Sequence, residues 1–377
     1  MSSNPGPEEP SAPRSSSQDV PASEDERAER EETTVTTAAP AAAVEEEGPT
    51  DVIEAEDGPV EEDEFLAEGW DSTSSNASTS VTSSVYHHAY ENGRRYHAYR
   101  YGRYPIPNDD LEQNREDMRH ASMLETTDGK LFFAPIGDNP GKIIDIGTGT
   151  GIWAIEMGDL FPSAEILGLD LSPIQPTWVP PNVRFIVDDI EDEWASGSGW
   201  DYAHFRNMAV ILRDLQKAVN QTFRHLKPGG WIEFQETWGM PFCEDGTMPS
   251  DDIMVRYFEL CTAAMAKFGM NVDLGPKVGE YLERAGFTNV SCVRKKMPMG
   301  TWAKDKRLRL IGLYVRELAL HSLASLGKVF ANLGMSPTEI EVWGATVRAA
   351  LKESDKVHRY YYHYFWYAQK PEGGSIS

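Results

Sequence analysis

The chain has 377 residues, of which 60 are acidic and 35 basic, so its formal net charge is −25 at pH 7. This excess of acid excludes a protein that binds nucleic acid through bulk positive charge. The excess is concentrated in residues 1–85, which carry 22 acidic and 3 basic side chains. The rest of the chain is close to charge balance and is long enough to form a substantial apolar core.

Three cysteines, Cys243, Cys261 and Cys292, have neither CxxC spacing nor nearby histidine partners. This pattern predicts no disulfide framework and no metal site, and it is typical of a reducing compartment. Residues 1–20 lack the cationic start and apolar stretch of a secretory signal. No apolar run approaches the roughly 20 residues of a membrane span. We therefore expect an intracellular protein without membrane contact, in the cytoplasm or the nucleus.

Residues 1–85 alternate acidic blocks with Ala/Pro and Ser/Thr stretches and contain almost no aromatic side chains. Such a segment cannot bury enough apolar surface to offset the entropy of ordering, so we predict that it is disordered. It is either a solvating tail or an acidic arm around Phe65, Leu66 and Trp70 that serves for phosphorylation or for interaction with regulatory protein partners.

The folded part is expected to begin with an arm and a lid helix over residues 86–140. Tyr86–Tyr104 is rich in tyrosine and arginine, and a helical pattern follows from Asn108 or Asp109. An aromatic and basic stretch can stack on nucleic-acid bases. This one is short and precedes a helix, which favours a lid or docking arm, and nucleic acid is not expected as a partner.

From residue 141 onward, short apolar runs alternate with helical stretches, which is the signature of βαβ units. The runs predict seven strands at 143–146, 166–169, 183–187, 202–205, 231–235, 290–293 and 360–367. Two further helices, at 304–326 and 337–351, form a helical insertion over about residues 303–353. The sequence thus predicts an α/β fold: a Rossmann-like, doubly wound, seven-stranded and mostly parallel sheet with an N-terminal helical lid and a late helical insertion.

The first of these strands runs into a glycine turn of the pattern Asp-x-Gly-x-Gly-x-Gly, formed by Asp145, Gly147, Gly149 and Gly151. Glycines at alternate positions tolerate positive φ and let a ligand approach the backbone at the carboxyl edge of a parallel sheet. The spacing differs from that of dinucleotide-binding and phosphate-binding loops. A carboxylate at the end of this strand suits a ligand that carries an ammonium or sulfonium group.

The next two strands also end in acids. Asp170 closes the second strand, where a carboxylate accepts both hydroxyls of a ribose. Asp188 and Asp189 close the third strand, at the usual height of an adenine amino group. Three acid-tipped strands in order predict a nucleoside-containing cofactor; the alternative is a doubly wound domain in which the acids only cap helices.

This order of motifs resembles the class I S-adenosylmethionine-dependent methyltransferases. The resemblance rests on Asp145–Gly151, Asp170, Asp188–Asp189 and Leu226–Glu233. More narrowly, the chain is similar to the LaeA-like methyltransferases of filamentous fungi over about residues 96–371, in the stretches Pro107–Asp109, Leu171–Pro181, Asp188–Trp194, His204–Asn207, Gly300–Trp302 and Gln369–Pro371. The resemblance implies a methyltransferase domain over residues 86–377, with a cofactor-binding core at 141–236 and S-adenosyl-L-methionine as the cofactor.

The resemblance also implies a set of cofactor-binding residues, namely Tyr104, His120, Asp145, Gly147, Gly149, Gly151, Asp170, Leu171, Asp188, Asp189, Ile190 and Asn207. The glycines would cradle the methionine part, and Asp145 would face its amino group. Asp170 would hold the ribose, and the Asp188–Asp189 pair would hold the adenine. Ile190 would pack on the adenine plane or in the core. Tyr104 and His120 would cover the cofactor or serve as surface and capping residues.

Two residues are candidates for proton transfer at the acceptor. His204 is a candidate general base because an imidazole titrates near neutral pH, although alternation along its strand favours a buried role. Glu236, just past the fifth strand, either lines the same mouth or is a loop charge. Methyl transfer from an activated donor can rest on orientation and exclusion of water, so no catalytic triad is expected.

The leading functional hypothesis is methylation of an oxygen or nitrogen of a small-molecule acceptor in fungal secondary metabolism, as the resemblance implies. The alternative is a cofactor-binding regulator of secondary-metabolite gene expression that acts through a protein complex, including a protein methyltransferase within such a complex. The long acidic tail slightly favours this second hypothesis.

Overall fold

The computed structural model describes residues 43–45, 52–56 and 88–373. The strands in these ranges are β1 (Ala43–Glu45), β2 (His88–Glu91), β3 (Arg94–His97), β4 (Lys142–Ile146), β5 (Glu165–Asp170), β6 (Val183–Val187), β7 (Trp200–Arg206), β8 (Leu226–Phe242), β9 (Thr288–Pro298) and β10 (Tyr360–Gln369). The helices are α1 (Asp110–Thr126), α2 (Ile152–Leu160), α3 (Leu215–His225), α4 (Ile253–Ala266), α5 (Val278–Arg284), α6 (Lys306–Ser325), α7 (Gly327–Ala331) and α8 (Pro337–Lys352). No helix of this described part has the length and apolar character needed to cross a bilayer.

One sheet runs through the domain in the order β1-β9-β10-β8-β7-β4-β5-β6. β8, β7, β4, β5 and β6 are parallel neighbours, whereas β10 is antiparallel to both β8 and β9. The predicted seven-stranded, mostly parallel sheet is confirmed as the strands from β9 to β6, and β1 adds an eighth strand at the β9 edge. The chain order reverses between β4 and β7, where a doubly wound sheet opens its ligand crevice.

β4 is an apolar run because helices cover both faces of the sheet at this strand. Ile144 and Ile146 pack on one face in the cluster that contains Phe205. Ile143 packs on the other face with Trp153 of α2. All three isoleucines are fully buried, and a register shift of one residue would exchange the two faces. Packing on both sides therefore sets the height at which the strand ends and the glycine turn begins.

Some elements were not predicted or extend beyond their predicted bounds. β8 continues to Phe242 because β10 pairs with it as far as Tyr360 opposite Phe242. The arm contains a hairpin of β2 and β3, with Asn92 and Gly93 at φ of 51° and 76° in its turn. Asn-Gly is a strong local signal for such a turn. α4 was also missed, and it packs against α8 and β8.

The hairpin joins the start of α1 to the helical insertion between β9 and β10. Arg94 Nη2 donates to Asp109 Oδ1 (2.9 Å), and the same oxygen accepts the backbone N–H of Glu112, which caps α1. On the other side, Lys328 Nζ donates to Glu91 Oε2 (2.6 Å). The arm is therefore anchored at both ends by charge-assisted hydrogen bonds.

Two short segments of the predicted disordered tail are paired with the domain. β1 lies parallel to β9, with Val44 opposite Cys292. Ala55 forms an antiparallel bridge with Ala303. Hydrogen bonds flank this bridge, from the N–H of residue 56 to the carbonyl of residue 302 (2.9 Å) and from the N–H of residue 304 to the carbonyl of residue 54 (2.8 Å).

The segment at residues 52–56 departs from the predicted disorder because its apolar and acidic side chains find partners. Ile53 packs against the cluster that contains Trp302. Glu54 pairs with Lys304 (2.9 Å), and the acid at position 56 pairs with Arg309 (3.3 Å). The rest of the predicted tail, including residues 65, 66 and 70, lies outside the described residues.

Candidate active site

β4, β5, β6 and β7 end around a cavity of about 1030 Å³, counted to its open mouth. The predicted cofactor residues that line it are Tyr104, Gly147, Gly149, Asp170, Leu171, Asp188, Asp189, Ile190 and Asn207. A cavity with apolar walls and a few convergent polar groups suits a small-molecule ligand.

The glycine turn forms one wall of the cavity. Gly147, Gly149 and Gly151 have φ of 72°, 57° and 84°, in the left-handed region that glycine adopts without steric cost. A Cβ on Gly147 would collide with Sδ of Met208, and one on Gly151 with the ring of Phe185. A Cβ on Gly149 meets no atom within 4 Å. Gly149 is therefore the point of the turn where a ligand can come closest to the backbone.

Asp170 is held at the cavity wall by two backbone donors. The N–H of Gly149 donates to Oδ2 and that of Ser172 to Oδ1, each at 2.8 Å. Burial raises the pKa of this carboxyl to about 6, although both hydrogen bonds oppose the rise. Each carboxylate oxygen has a lone pair left after these bonds. The ionised side chain can thus accept two neighbouring hydroxyl groups.

The end of β6 is connected to the arm by ion pairs. Arg103 Nε lies 3.2 Å from Asp189 Oδ2, and Arg103 Nη2 donates to Glu191 Oε2 at 2.7 Å. Asp188 Oδ1 accepts the N–H of Asp189 (2.8 Å). These contacts bring the arm to the part of the cavity that Ile190 and both aspartates line.

The arm and α1 supply a further wall. Burial raises the pKa of Tyr104 well above 10, so its phenol remains a neutral donor. Asn108 Nδ2 donates to Ser172 Oγ (3.3 Å), which connects the arm to β5. Thr150 Oγ1 donates to Asp117 Oδ1 (2.7 Å), which connects α1 to the glycine turn. The wall is therefore hydrogen-bonded to the strand ends that it covers.

Two arginines line the cavity where β7 ends. Arg206 Nε donates to Gln235 Oε1 (3.0 Å), and its Nη1 donates to His120 Nδ1 (2.8 Å). Burial lowers the pKa of Arg206, and the charge of Arg119 lowers it further. Arg119 Nη1 donates to Glu116 Oε2 (2.9 Å). This end of the cavity is consequently charged.

The remaining predicted site residues are not part of the cavity wall; they are His120, Asp145, Gly151, His204 and Glu236. Each carboxylate oxygen of Asp145 has one partner, because Oδ1 lies 2.7 Å from His204 Nδ1 and Oδ2 accepts the hydroxyl of Thr148 (2.6 Å). The role of Asp145 toward the amino group of the cofactor stays a prediction. His120 lies behind the wall and is hydrogen-bonded to a wall residue, Arg206.

The structure places His204 outside the cavity wall. The imidazole is buried and stacks on Trp153, with ring centroids 3.7 Å apart and 5° between the planes. Burial lowers its pKa although Asp145 opposes the change. The alternative of a buried role is the one that the geometry supports, with His204 orienting Asp145 beneath the glycine turn.

Glu236 is neither a mouth residue nor a loop charge. Its side chain is fully buried, and Oε1 accepts the N–H groups of Met208 and Ala209, each at 2.9 Å. Burial raises its pKa to about 8 against these hydrogen bonds. Asn207 begins the loop after β7 and has φ of 53°. Glu236 therefore holds the loop that carries Asn207 and Met208 into the cavity wall.

Several cavity residues were missed from the sequence, among them Glu112, Gln113, Glu116, Arg119 and Met270. The residues at 112, 116 and 119 are spaced by four and three, so they share one face of α1. That spacing was the available signal, but it also describes an ordinary solvated face. Met270 comes from the turn after α4 and had no local signal.

Comparison with known proteins identifies relatives over most of the chain. A family model of the methyltransferase domain matches residues 114–292. Methyltransferase pytC of Aspergillus terreus is 41% identical over 78% of this chain and 91% of its own length. Secondary metabolism regulator laeA of Aspergillus fumigatus is 30% identical over 83% of this chain and 86% of its own. A solved phosphoethanolamine N-methyltransferase 2 of Haemonchus contortus is 17% identical, with a TM-score of 0.39, over 68% of this chain and 53% of its own.

The sheet order, the glycine turn and the acid-ended strands around one cavity define a class I S-adenosylmethionine-dependent methyltransferase. The similarity to pytC and laeA covers at least 78% of this chain and at least 86% of each relative. The chain belongs to the LaeA-like methyltransferases.

Proposed function

We propose that this methyltransferase methylates an oxygen or nitrogen atom of a small molecule in fungal secondary metabolism. The proposal rests on the cavity. The arm and α1 line it on the side away from the strand ends. An acceptor that reaches the glycine turn must be small enough to fit inside it. The names of the Aspergillus relatives support the same context, since laeA is a regulator of secondary metabolism.

The chemistry of the walls suggests where each part of the cofactor binds. Open space beside Gly149 suits the methionine part. The Asp170 carboxylate suits the ribose hydroxyls, and Asp188, Asp189 and Ile190 suit the adenine. Leu171, Asn207 and Tyr104 complete the set that we assign to cofactor binding.

S-adenosyl-L-methionine supplies, when bound, a methyl group already activated on a sulfonium. The chain then has to orient the acceptor and exclude water. The ion pairs of Arg103 and the hydrogen bond between Thr150 and Asp117 hold the arm and α1 over the cavity. With His204 and Glu236 buried behind the wall, catalysis rests on this positioning rather than on proton transfer by either residue.

A second function is a cofactor-binding regulator of secondary-metabolite gene expression that acts in a protein complex, including methylation of a protein partner. It is favoured by the similarity to the regulator laeA and by the acidic residues 1–85. Under this function the domain in residues 86–377 serves as a sensor or a protein-modifying module, and the segment before it binds partners.

Labelled methyl transfer separates these functions. The purified full chain is incubated with methyl-labelled S-adenosyl-L-methionine and a fungal extract, which is then divided into small-molecule and protein fractions. The Gly149→Val variant, in which the open space beside the turn is filled, serves as the control. Label in the small-molecule fraction that the variant loses supports our proposal. Label confined to protein, or no label from a chain that binds the cofactor, supports the regulator.

A further inference from the structure

Arg206 is a partly buried cation whose hydrogen-bond partners are both neutral. It donates to an amide oxygen, Gln235 Oε1, and to an imidazole nitrogen, His120 Nδ1. Because a guanidinium only donates, that nitrogen carries no proton, and the other ring nitrogen lies 3.0 Å from Glu156 Oε2. Within residues 43–45, 52–56 and 88–373, no ion pair joins Arg206 to an Asp or Glu.

Three acids interact electrostatically with Arg206, namely Asp145, Glu233 and Glu116, and each is bound to other groups; Glu116 pairs with Arg115 and Arg119. Asp145 and Glu233 raise the pKa of Arg206, but burial outweighs them and the net change is downward. Asp145 is bound to His204 and Thr148, as described above. Glu233 Oε2 accepts the backbone N–H groups of residues 133 and 134, at 2.9 and 2.8 Å. Neither carboxylate is available as the ion-pair partner of Arg206.

A second guanidinium strengthens the positive potential at this end of the cavity. Glu116 is the partner of Arg119, and Arg115 binds the same carboxylate. Arg119 and Arg206 together contribute, after burial, to lowering the pKa of His363 to about 3. Both arginines line the cavity. The charged network where β7 and α1 meet thus has three cations, Arg115, Arg119 and Arg206, against two carboxylates, Glu112 and Glu116, and both carboxylates are paired with Arg115 or Arg119.

The orientation of Arg206 is set before any ligand binds. Gln235 Nε2 donates to Glu233 Oε1 (2.9 Å) and to the carbonyl of Leu131 (3.0 Å). The amide oxygen is thereby directed to Arg206 Nε. A guanidinium held in this way presents its remaining N–H groups as a planar fork, which matches a carboxylate in a bidentate pair. Burying such a charge without an anion is costly.

We propose that Arg206, together with Arg119, binds a carboxylate group of a ligand inside the cavity. The inference rests on the proposed small-molecule methyltransferase function and deepens it. Two ligands could supply the carboxylate: the amino-acid part of the cofactor, or an acceptor that is itself an organic acid. The chemistry of recognition is the same in both cases, and binding measurements distinguish them.

The first experiment compares S-adenosyl-L-methionine with its decarboxylated analogue, which keeps the sulfonium and the amine. Calorimetric titration of the full chain is performed on wild type, Arg206→Gln, Arg119→Gln and, as a matched control, Arg213→Gln, which removes an exposed arginine outside the cavity wall. If the cofactor supplies the carboxylate, decarboxylation weakens binding to wild type about 10- to 100-fold. The same change then has little effect in Arg206→Gln and a reduced effect in Arg119→Gln, and Arg213→Gln behaves as wild type.

The second experiment uses benzoate and its neutral counterpart benzamide as acceptor probes, with and without saturating S-adenosylhomocysteine. If an acceptor supplies the carboxylate, benzoate binds and benzamide does not, and Arg206→Gln abolishes the difference while decarboxylation of the cofactor has no effect. Equal affinity of both cofactor forms together with no benzoate binding overturns the inference. The wild-type measurements decide this even if Arg206→Gln does not fold. If wild type binds neither form of the cofactor, the proposed function is refuted instead. The benzoate titration then still shows whether Arg206 and Arg119 bind a carboxylate.

Discussion

The pH dependence of cofactor affinity tests the role proposed for Asp170. Burial raises the pKa of this carboxyl to about 6. Ribose hydroxyls donate hydrogen bonds to a carboxylate that is ionised, whereas a protonated carboxyl loses one of its acceptor sites. Binding therefore selects the ionised form. We expect the affinity for S-adenosylhomocysteine to increase as pH rises through 6 and to level off above 7.

The magnitude follows from the ionised fraction. With a pKa of about 6, roughly one tenth of the molecules carry an ionised Asp170 at pH 5 and roughly nine tenths at pH 7. The apparent Kd is the intrinsic Kd divided by the competent fraction. It should therefore be about tenfold higher at pH 5 than at pH 7, and binding at pH 5 should release close to one proton per site.

Isothermal titration calorimetry in buffers of different ionisation enthalpy measures both quantities, while circular dichroism verifies that the chain stays folded at pH 5. Asp170→Asn should bind more weakly and with a Kd that is flat between pH 5 and 7. Asp138→Asn, which changes an exposed acid outside the cavity wall, should keep the wild-type profile. A wild-type Kd that does not change over this range, or a tenfold change that persists in Asp170→Asn, would refute the reasoning.

Three further predictions test other parts of the structure. Gly149→Val should abolish cofactor binding in calorimetry, whereas Gly137→Val, at an equally open left-handed position outside the cavity wall, should retain it. Glu236 has a folded pKa of about 8 against an ordinary 4.5, so its stabilising contribution is complete below pH 4.5 and is lost as pH rises through 8. The free energy of unfolding in urea should therefore fall by at most about 1.4 kcal/mol per pH unit in wild type and should not show this fall in Glu236→Gln. An equal slope in both proteins would contradict the assignment. Cysteines at Ala55 and Ala303 should form a disulfide under mild oxidation, because their bridge is a closely spaced antiparallel pair; free thiols in peptide mass mapping would disprove the pairing.

The sequence predicted the sheet because its strands are local apolar runs. β6 has the predicted bounds, Val183–Val187, and the strand before the glycine turn was misplaced by one residue at its start. The end of β8 was missed by seven residues, since Phe242 belongs to the strand only through its pairing with β10. A pattern within one segment predicts a strand, whereas the length of a strand depends on its neighbour.

In the candidate site too, some features follow from a pattern within one segment and others depend on contacts between segments. Residues at the carboxyl ends of successive strands, such as Gly149 and Asp170, meet because a parallel sheet brings those ends to one edge. The side chains of His204 and Asp145 were assigned to this edge as well, but they bind each other beneath it. Alternation along a strand indicates two faces and does not indicate which face the ligand occupies.

By itself, the sequence determined the fold class, the cofactor and the order of the strand ends that line the cavity. These properties depend on residue spacings within segments of about ten residues. Only the tertiary structure decided which acids line the cavity, that α1 supplies Glu116 and Arg119, and that Arg206 lines it with no ion-pair partner among the described residues. The physical reason is that burial and hydrogen-bond partners are set by contacts between distant parts of the chain, as for Arg206 and His120, 86 positions apart.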